Sequence, residues 1–176
     1  MGFNNVRAGG KIKPSGSNEI LEVSAVSSDT ALAVTSRYTG DALTDSSYTY
    51  FEDEYALAAD FAKFVDLRMF STDLNIPLIG RREFRAWYPR NDIAGKPRLS
   101  TYFMRPFSGD TNLRHTVAFH PYPDGVYQIP YWYVTNYLAV PSAGVEQERF
   151  ENSTDEPIIP PQYRHVLPIY ATFHYY

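Results

Sequence analysis

The chain has four histidines and no cysteine, and the spacing of the residues that could carry catalysis or bind a metal is unfavourable. His115 and His120 lie five positions apart, so in an extended strand they would point to opposite faces and could not share a metal ion. Either of them, with Asp124 and a serine, could be written as a catalytic triad, but no Gly-x-Ser-x-Gly turn is present to expose the nucleophile. Together with His165 and His174, they are expected to be structural or surface histidines.

Carboxylate pairs and phosphate-binding loops are no better supported. Asp53 and Glu54 are adjacent and would point apart in a strand, so a glycosidase pair would need a distant second carboxylate. Gly9, Gly10 and Lys11 lack the flanking glycine and the Ser or Thr of a phosphate-binding loop. The chain has no cysteine, which excludes disulfides, thiolate metal sites and cysteine nucleophiles. We therefore expect no enzymatic activity and no cofactor.

Size and composition favour a soluble, non-catalytic protein. A chain of 176 residues can bury roughly two-thirds of the surface that its unfolded form exposes, so it needs neither a disulfide nor a metal to fold. The first five residues lack the basic segment and apolar run of a secretory signal. No stretch approaches the roughly 18 apolar residues of a membrane span. These features predict no contact with a membrane.

Charge is distributed unevenly along the sequence. Residues 41–60 carry six acidic side chains and no basic one, residues 81–114 carry eight basic side chains against three acidic ones, and residues 146–156 are acidic again apart from Arg149. Ordinary solvated faces would explain this pattern. The alternative is that oppositely charged surfaces of neighbouring copies meet in a head-to-tail ring. The charged candidates for such an interface are Arg81, Arg82, Arg85, Asp53 and Glu54.

Tyrosine-rich extended segments point to assembly. Aromatic residues make up 16% of the chain, and 15 of them are tyrosines. Over residues 126–140 we expect one long strand, and Pro130 predicts that this strand is an edge strand or is bulged, because proline cannot donate a ladder hydrogen bond. An edge strand can pair with another chain. The tyrosines on one face of the strand complete the candidate inter-subunit interface: Tyr127, Tyr131, Tyr133 and Tyr137.

The remaining pattern predicts a mainly β fold with short helices (α+β), arranged as an antiparallel sheet or sandwich. Strands are predicted at 20–26 and 31–35 as a hairpin, then at 48–51, after a turn near Asp60, at 99–104 and at 115–120. Good helix formers over 56–63 leave a helix open as the alternative there. Short helices are predicted near 80–88 and 161–175. Residues 1–19 are expected to be a flexible arm, and 20–176 a single β-rich domain.

The order of several short segments resembles a known family. They are Val-Ser-Ser-Asp-Thr-Ala-Leu at 26–32, Tyr-Thr-Gly at 38–40, Ser-Tyr-Thr at 47–49, Asp-Glu-Tyr-Ala-Leu at 53–57 with Asp-Phe at 60–61, Arg-Glu-Phe at 82–84, Gly-Lys-Pro at 95–97, Pro-Tyr-Pro-Asp at 121–124 with Tyr127, and Ile-Ile-Pro at 158–160 with Tyr163. This set is similar to the head-to-tail connector (adaptor) proteins of tailed bacteriophages, as a partial or diverged member.

The resemblance implies a structural virion protein at the head–tail junction, made in the host cytoplasm. It would form a homo-oligomeric ring, typically twelvefold, that joins the portal protein to tail proteins, while DNA passes through the lumen without sequence-specific contact. Two alternatives stay open. One is another β-rich tail component, such as a nozzle, tube or baseplate protein. The other is a carbohydrate-binding module, because exposed Tyr and Trp rings can stack on sugars.

Overall fold

The computed structural model describes residues 3–42, 44, 46–69, 74–106, 113–141 and 144–164, and these form mostly β-strands in antiparallel sheets with one α-helix. The predicted fold class is therefore confirmed. The helix is α1 (Arg81–Trp87). The strands are β1 (Lys11–Pro14), β2 (Leu21–Ser28), β3 (Ala31–Val34), β4 (Tyr48–Phe51), β5 (Glu54–Ala56), β6 (Phe61–Met69), β7 (Leu74–Asn75), β8 (Ala94–Gly95), β9 (Leu99–Pro106), β10 (Leu113–His120), β11 (Tyr122–Pro123), β12 (Tyr131–Thr135), β13 (Ala139–Val140) and β14 (Glu156–Pro157).

The first sheet has the strand order β3-β2-β1-β4. The predicted hairpin is present as β2 and β3, which pair antiparallel with two register shifts, and the predicted strand at 48–51 is β4. Apolar side chains from the sheet and the segment before it form one cluster: Val6, Ile12, Leu21 and Val23, with Phe3, Leu32, Val34, Tyr38, Tyr48 and Tyr50 packed around them. Burial of this face holds the sheet together.

The predicted flexible arm over residues 1–19 is wrong where the structure describes it. Strand β1 lies between β2 and β4, pairing antiparallel with both, and its Ile12 is buried. The glycines before it have structural roles. Gly9 has φ +87°, a conformation that favours glycine, and a Cβ at Gly10 would overlap the ring of Tyr50. Glycine here permits close backbone packing, whereas its abundance in the sequence suggests mobility.

A second sheet has the order β5-β10-β9 and carries α1 against it. Its centre is β10, which is buried from Thr116 to His120. The helix buries Phe84, and its last turn closes with Tyr88 N donating to Phe84 O at 2.9 Å, just before Pro89. The helix predicted near 80–88 is confirmed. Proline ends it because proline cannot continue the backbone hydrogen-bond pattern.

A third sheet has the order β12-β6-β7. A strand after Asp60 is confirmed as β6, and the helix considered for 56–63 is not formed. The single long strand predicted over 126–140 is wrong, because regular pairing begins only after Pro130, at β12, and resumes in the short β13. Strand β12 lies at the edge of its sheet, which is one of the two alternatives that Pro130 predicted for this segment. Residues 126–130 have no strand pairing.

The chain divides into two compact units, where a single domain over 20–176 was predicted. The first consists of the residues up to Ala59 together with 65–132, and the second of 60–64 together with the residues from Tyr133 onward. Of the helical segment predicted near 161–175, the structure shows a 3-10 turn at Pro161–Tyr163. Residues 165–175 lie outside the described part of the chain.

Candidate functional site

An open pocket of about 420 Å³ lies beside α1 in the first unit. We call it the basic pocket, because Arg81 and Arg85, one helical turn apart on the same side of α1, both line it. Buried Phe84 fixes the helix on the sheet beneath. The pocket is also lined by Lys11, Glu54, Tyr88, Asn91, Thr101 and Phe103.

Within the described ranges, no carboxylate forms an ion pair with the arginines of α1. The guanidinium carbon of Arg81 lies 4.0 Å from the centroid of the Phe103 ring, a cation–π contact that holds the side chain in place. Among the described residues, neither Arg81 nor Arg85 has an ion-pair partner, and the same holds for Arg82, which is exposed and does not line the pocket. Two guanidinium groups at the basic pocket are therefore without an ion-pair partner in the part of the chain that the structure describes.

The acidic residues proposed for the interface lie inside the chain. Asp53 is only 1% exposed and accepts hydrogen bonds from Lys11 Nζ and Asn91 Nδ2, each at 2.7 Å. Glu54 accepts from the same ammonium at 3.2 Å. Both carboxylates thus contact Lys11, although adjacent residues of one strand were predicted to point apart. The prediction was wrong because only Glu54 belongs to β5. Asp53 is too buried to meet a partner, so its assignment to an interface is wrong.

Burial and hydrogen bonds shift the pKa values of the carboxyl groups in this part of the first unit. Desolvation raises the pKa of Asp53 above its usual value, while Lys11 acts in the opposite direction. Arg105 binds both Glu54 and Glu22, so it links the second sheet to the first. In the same unit Arg90 and Lys13 both bind Asp92, and the Arg90 hydrogen bond is the main cause that lowers the pKa of Asp92 far below its usual range. Arg90 and Arg105, both from the basic segment 81–114, therefore form ion pairs within the chain.

Two buried polar atoms near α1 have no hydrogen-bond partner among the described residues. One is Oγ1 of Thr101, a residue that is 2% exposed and lines the basic pocket. The other is Nδ1 of His120, whose ring stacks on Tyr88 with centroids 3.9 Å apart. Burial lowers the pKa of His120, so its imidazole is neutral at pH 7. A buried polar atom without a partner is uncommon in folded proteins, so each of these two atoms requires a physical explanation.

The tyrosines proposed for the interface use their polar atoms within the chain. Tyr127 donates to Asp124 Oδ1 at 2.6 Å, Tyr131 accepts from Ala58 N at 3.2 Å, and Tyr133 donates to both Asp60 carboxylate oxygens at 3.0 Å. Tyr137 is half-buried, and its backbone N–H donates to Thr135. All four are half-buried, so their faces are only partly available to a neighbour.

The opposite side of β12 is the exposed one. Burial alternates along the strand, and Trp132 is 74% exposed while Val134 is also exposed. The alternation was visible in the sequence, but it does not say which face is covered. Tyr127 and Tyr131 instead line a second pocket in the first unit, of about 380 Å³, together with Tyr55, Val126 and other mainly apolar side chains.

The second unit contains a structured acidic loop at residues 146–156, which we call the acidic loop. Oδ2 of Asp155 accepts hydrogen bonds from Gln147 Nε2 at 2.6 Å, Glu151 N at 2.7 Å and Asn152 N at 2.8 Å. These bonds, the one from Asn152 N first, lower the pKa of Asp155. Glu151 and its neighbour Phe150 are both exposed. Asp155 therefore fixes the loop shape while the loop presents an aromatic ring beside a carboxylate.

Sequence patterns missed several residues of the basic pocket. Lys11 was assigned to the arm, and its role depends on the pairing of β1. Thr101 and Phe103 are two positions apart in β9, so period-2 alternation could have placed them on one face. No group of three or more His, Asp or Glu residues suited to a metal occurs in the described ranges. No helix of the described chain has the length and apolar character required to cross a membrane.

Comparison of the chain with known protein families, with curated proteins and with solved structures finds no match.

Proposed function

We propose that this protein is a structural virion component that forms the head-to-tail connector ring of a tailed bacteriophage. One observation carries the assembly part of this proposal. Large apolar side chains stay exposed on the isolated chain, including Trp132, Trp87, Leu113, Val126 and Val145. The resemblance described above adds the site of assembly, between the portal protein and the tail.

Exposed apolar residues scattered singly are ordinary on soluble proteins. Here several sit where another chain could cover them. Trp132 and Val134 belong to the exposed side of β12, an edge strand, and Val65 on the adjacent strand β6 is also exposed. Edge strands can accept another strand, and buried aromatic residues supply much of the binding energy of interfaces. These features support contact with a second protein chain.

A ring requires a heterologous contact, in which two different patches of each copy meet and the rotation closes. The exposed arginines of α1 and the exposed glutamates of the acidic loop are two such patches of opposite charge. The proposed partners are other copies of this chain, together with the portal and tail proteins at the head–tail junction of the virion. DNA would pass through the lumen without base-specific contact, and the protein would have no catalytic role.

The test is the assembly state of the purified protein, alone and with portal protein, measured by mass photometry and negative-stain imaging. We expect closed rings, twelvefold, with an interface that buries about 1,200 Å² or more in total. Monomers alone, even with portal present, would contradict the proposal. Rings of another symmetry, located elsewhere in the tail of an intact particle, would favour a different tail component.

Trp132→Asp is expected to raise the concentration for half-maximal assembly by about tenfold or more, because a charge would replace an exposed aromatic side chain on the edge strand that is proposed to contact a second chain. Gln128→Asp is the matched control, since Gln128 is exposed and precedes β12. It should leave assembly unchanged. Equal effects of the two substitutions would show that β12 is not part of the interface.

The exposure of Trp132 and Trp87 also fits a carbohydrate-binding module, because indole rings can stack on sugars. That function predicts that an isolated monomer binds glycans on an array and that Trp132→Ala abolishes the binding. The connector function predicts no such binding. The two functions are thus separated by one measurement on the wild-type protein and one variant.

A further inference from the structure

The basic pocket has the character of a site for an acidic group. Arg81 and Arg85 line it without a carboxylate partner among the described residues, whereas Lys11 and Glu54 in the same lining are already paired with each other. A carboxylate that enters would form charge-assisted hydrogen bonds with guanidinium groups, which are among the strongest in proteins. Thr101 Oγ1 supplies a buried polar atom that lacks a partner in the described chain.

The walls of the basic pocket indicate more than a small anion. The aromatic rings of Tyr88 and Phe103 line it, and the guanidinium of Arg81 lies over Phe103. A free phosphate or carboxylate would use the arginines but would leave the remaining aromatic surface of the pocket without a contact. A group that combines an apolar ring with a neighbouring carboxylate would use both, since aromatic pairs add to the binding that charge provides.

The acidic loop presents this combination. Phe150 is half exposed, and Glu151 follows it in a turn that Asp155 holds with three hydrogen bonds. Because the loop is already ordered, binding would lose little conformational entropy. Glu146 and Glu148 add negative charge to the same loop, which complements the charge of α1.

We propose that the acidic loop of one copy docks in the basic pocket of the next, with Phe150 between the aromatic walls and Glu151 at Arg85. The inference rests on the proposed ring. Each copy would contribute its pocket to one neighbour and its loop to the other, which gives a head-to-tail contact that can close. The partner recognised by the pocket is thus a second copy of this chain.

The test uses opposite charge reversals in separate full-length chains. Arg85→Glu and Glu151→Arg should each assemble at least about tenfold less well than wild type, because like charges would face each other at every contact. An equimolar mixture should form rings again. In an alternating ring, each pocket that carries Arg85→Glu would receive a loop that carries Glu151→Arg, and each native Arg85 would meet a native Glu151.

Arg82→Glu is the matched control, since it makes the same charge change on the same helix outside the pocket. It should reduce assembly far less than Arg85→Glu. Both substituted arginines are exposed, and circular dichroism checks that each variant is folded. Arg85→Gln, which removes the charge without reversing it, should cause a smaller loss than Arg85→Glu.

Several outcomes would overturn the inference. Wild-type rings with no rescue by the mixture would reject the loop–pocket contact and leave the ring proposal standing. Rescue only when both substitutions are in one chain would place the contact within a single copy. An equal effect of Arg82→Glu would show that general charge, and not the pocket, controls assembly. Absence of wild-type rings would reject the proposed function itself.

Discussion

Lys11→Met should lower the free energy of unfolding by roughly 3 kcal/mol, measured by chemical denaturation at pH 7. The substitution keeps an unbranched side chain, one atom shorter, but removes the ammonium that binds Asp53, which is buried. A buried charge without its partner is costly, and removal of one member of such a pair typically destabilises by about 3–5 kcal/mol. Lys11 is slightly exposed, which places the expected loss at the lower end.

The loss should shrink as the pH falls toward the pKa of Asp53. Burial raises the folded-state pKa of this carboxyl above its unfolded value of 3.8, and Lys11 lowers it. Without Lys11 the folded-state pKa rises further. A group with a raised folded-state pKa contributes its stability at low pH and loses it as the pH increases through that pKa. The difference between variant and wild type is therefore largest near neutral pH and decreases toward about pH 4.

Two further variants make this prediction specific. Lys13→Met changes the same residue type in the same strand, but its partner Asp92 retains Arg90, so the expected loss is below about 1 kcal/mol. Lys11→Met with Asp53→Asn should recover part of the loss, with a coupling energy of about 1–3 kcal/mol, and should remove the pH effect. Equal losses for the two lysines would show that the buried pair has no special role.

Phe61→Ala should destabilise the second unit by about 3–5 kcal/mol, the usual cost of removing a buried aromatic ring. Phe61 is 1% exposed. Its ring lies 4.6 Å from that of Phe64 and 5.6 Å from that of Tyr133, measured between centroids. Because all three residues belong to the second unit, the cavity would weaken the attachment of residues 60–64 to the segment from Tyr133. Hydrogen exchange followed by mass spectrometry measures this for each segment.

Val65→Ala is the control in the same strand, since Val65 is 66% exposed and should change stability by no more than about 0.5 kcal/mol. In Phe61→Ala, amide exchange should accelerate over residues 133–164 more than over β9 and β10. Uniform acceleration across the whole chain would mean that the two units unfold as one and do not have separate cores.

Local patterns were sufficient for many elements. The hairpin of β2 and β3 follows from two alternating segments around a polar turn, and α1 follows from Phe84, Trp87 and Tyr88 ahead of Pro89. Both depend on neighbours a few residues apart, which the sequence displays directly. The prediction of a flexible arm over residues 1–19 was wrong because glycine occurs both in flexible loops and where backbones pack closely. At Gly10, only the position of the Tyr50 ring shows that close packing applies.

The sequence predicted the exposure of some charged residues correctly and of others wrongly. Arg81, Arg82 and Arg85 were predicted to be available, and the structure leaves them exposed, although their interface stays a prediction. Asp53 had the same sequence signal of an uncompensated charge, yet it is buried against Lys11. The tyrosines around β12 were expected to face a neighbour, while the structure uses the hydroxyls of Tyr127, Tyr131 and Tyr133 internally and exposes Trp132.

The sequence by itself determined the mainly β class, the short helix and the lack of cysteine chemistry, because each depends on composition or on residues close together in the chain. The tertiary structure alone decided which charges are neutralised and which face of a strand is covered. Those outcomes depend on pairs such as Lys11 with Asp53 and Arg105 with Glu22, which are 42 and 83 residues apart. No local pattern specifies such a pairing, since it forms only when distant strands pack together.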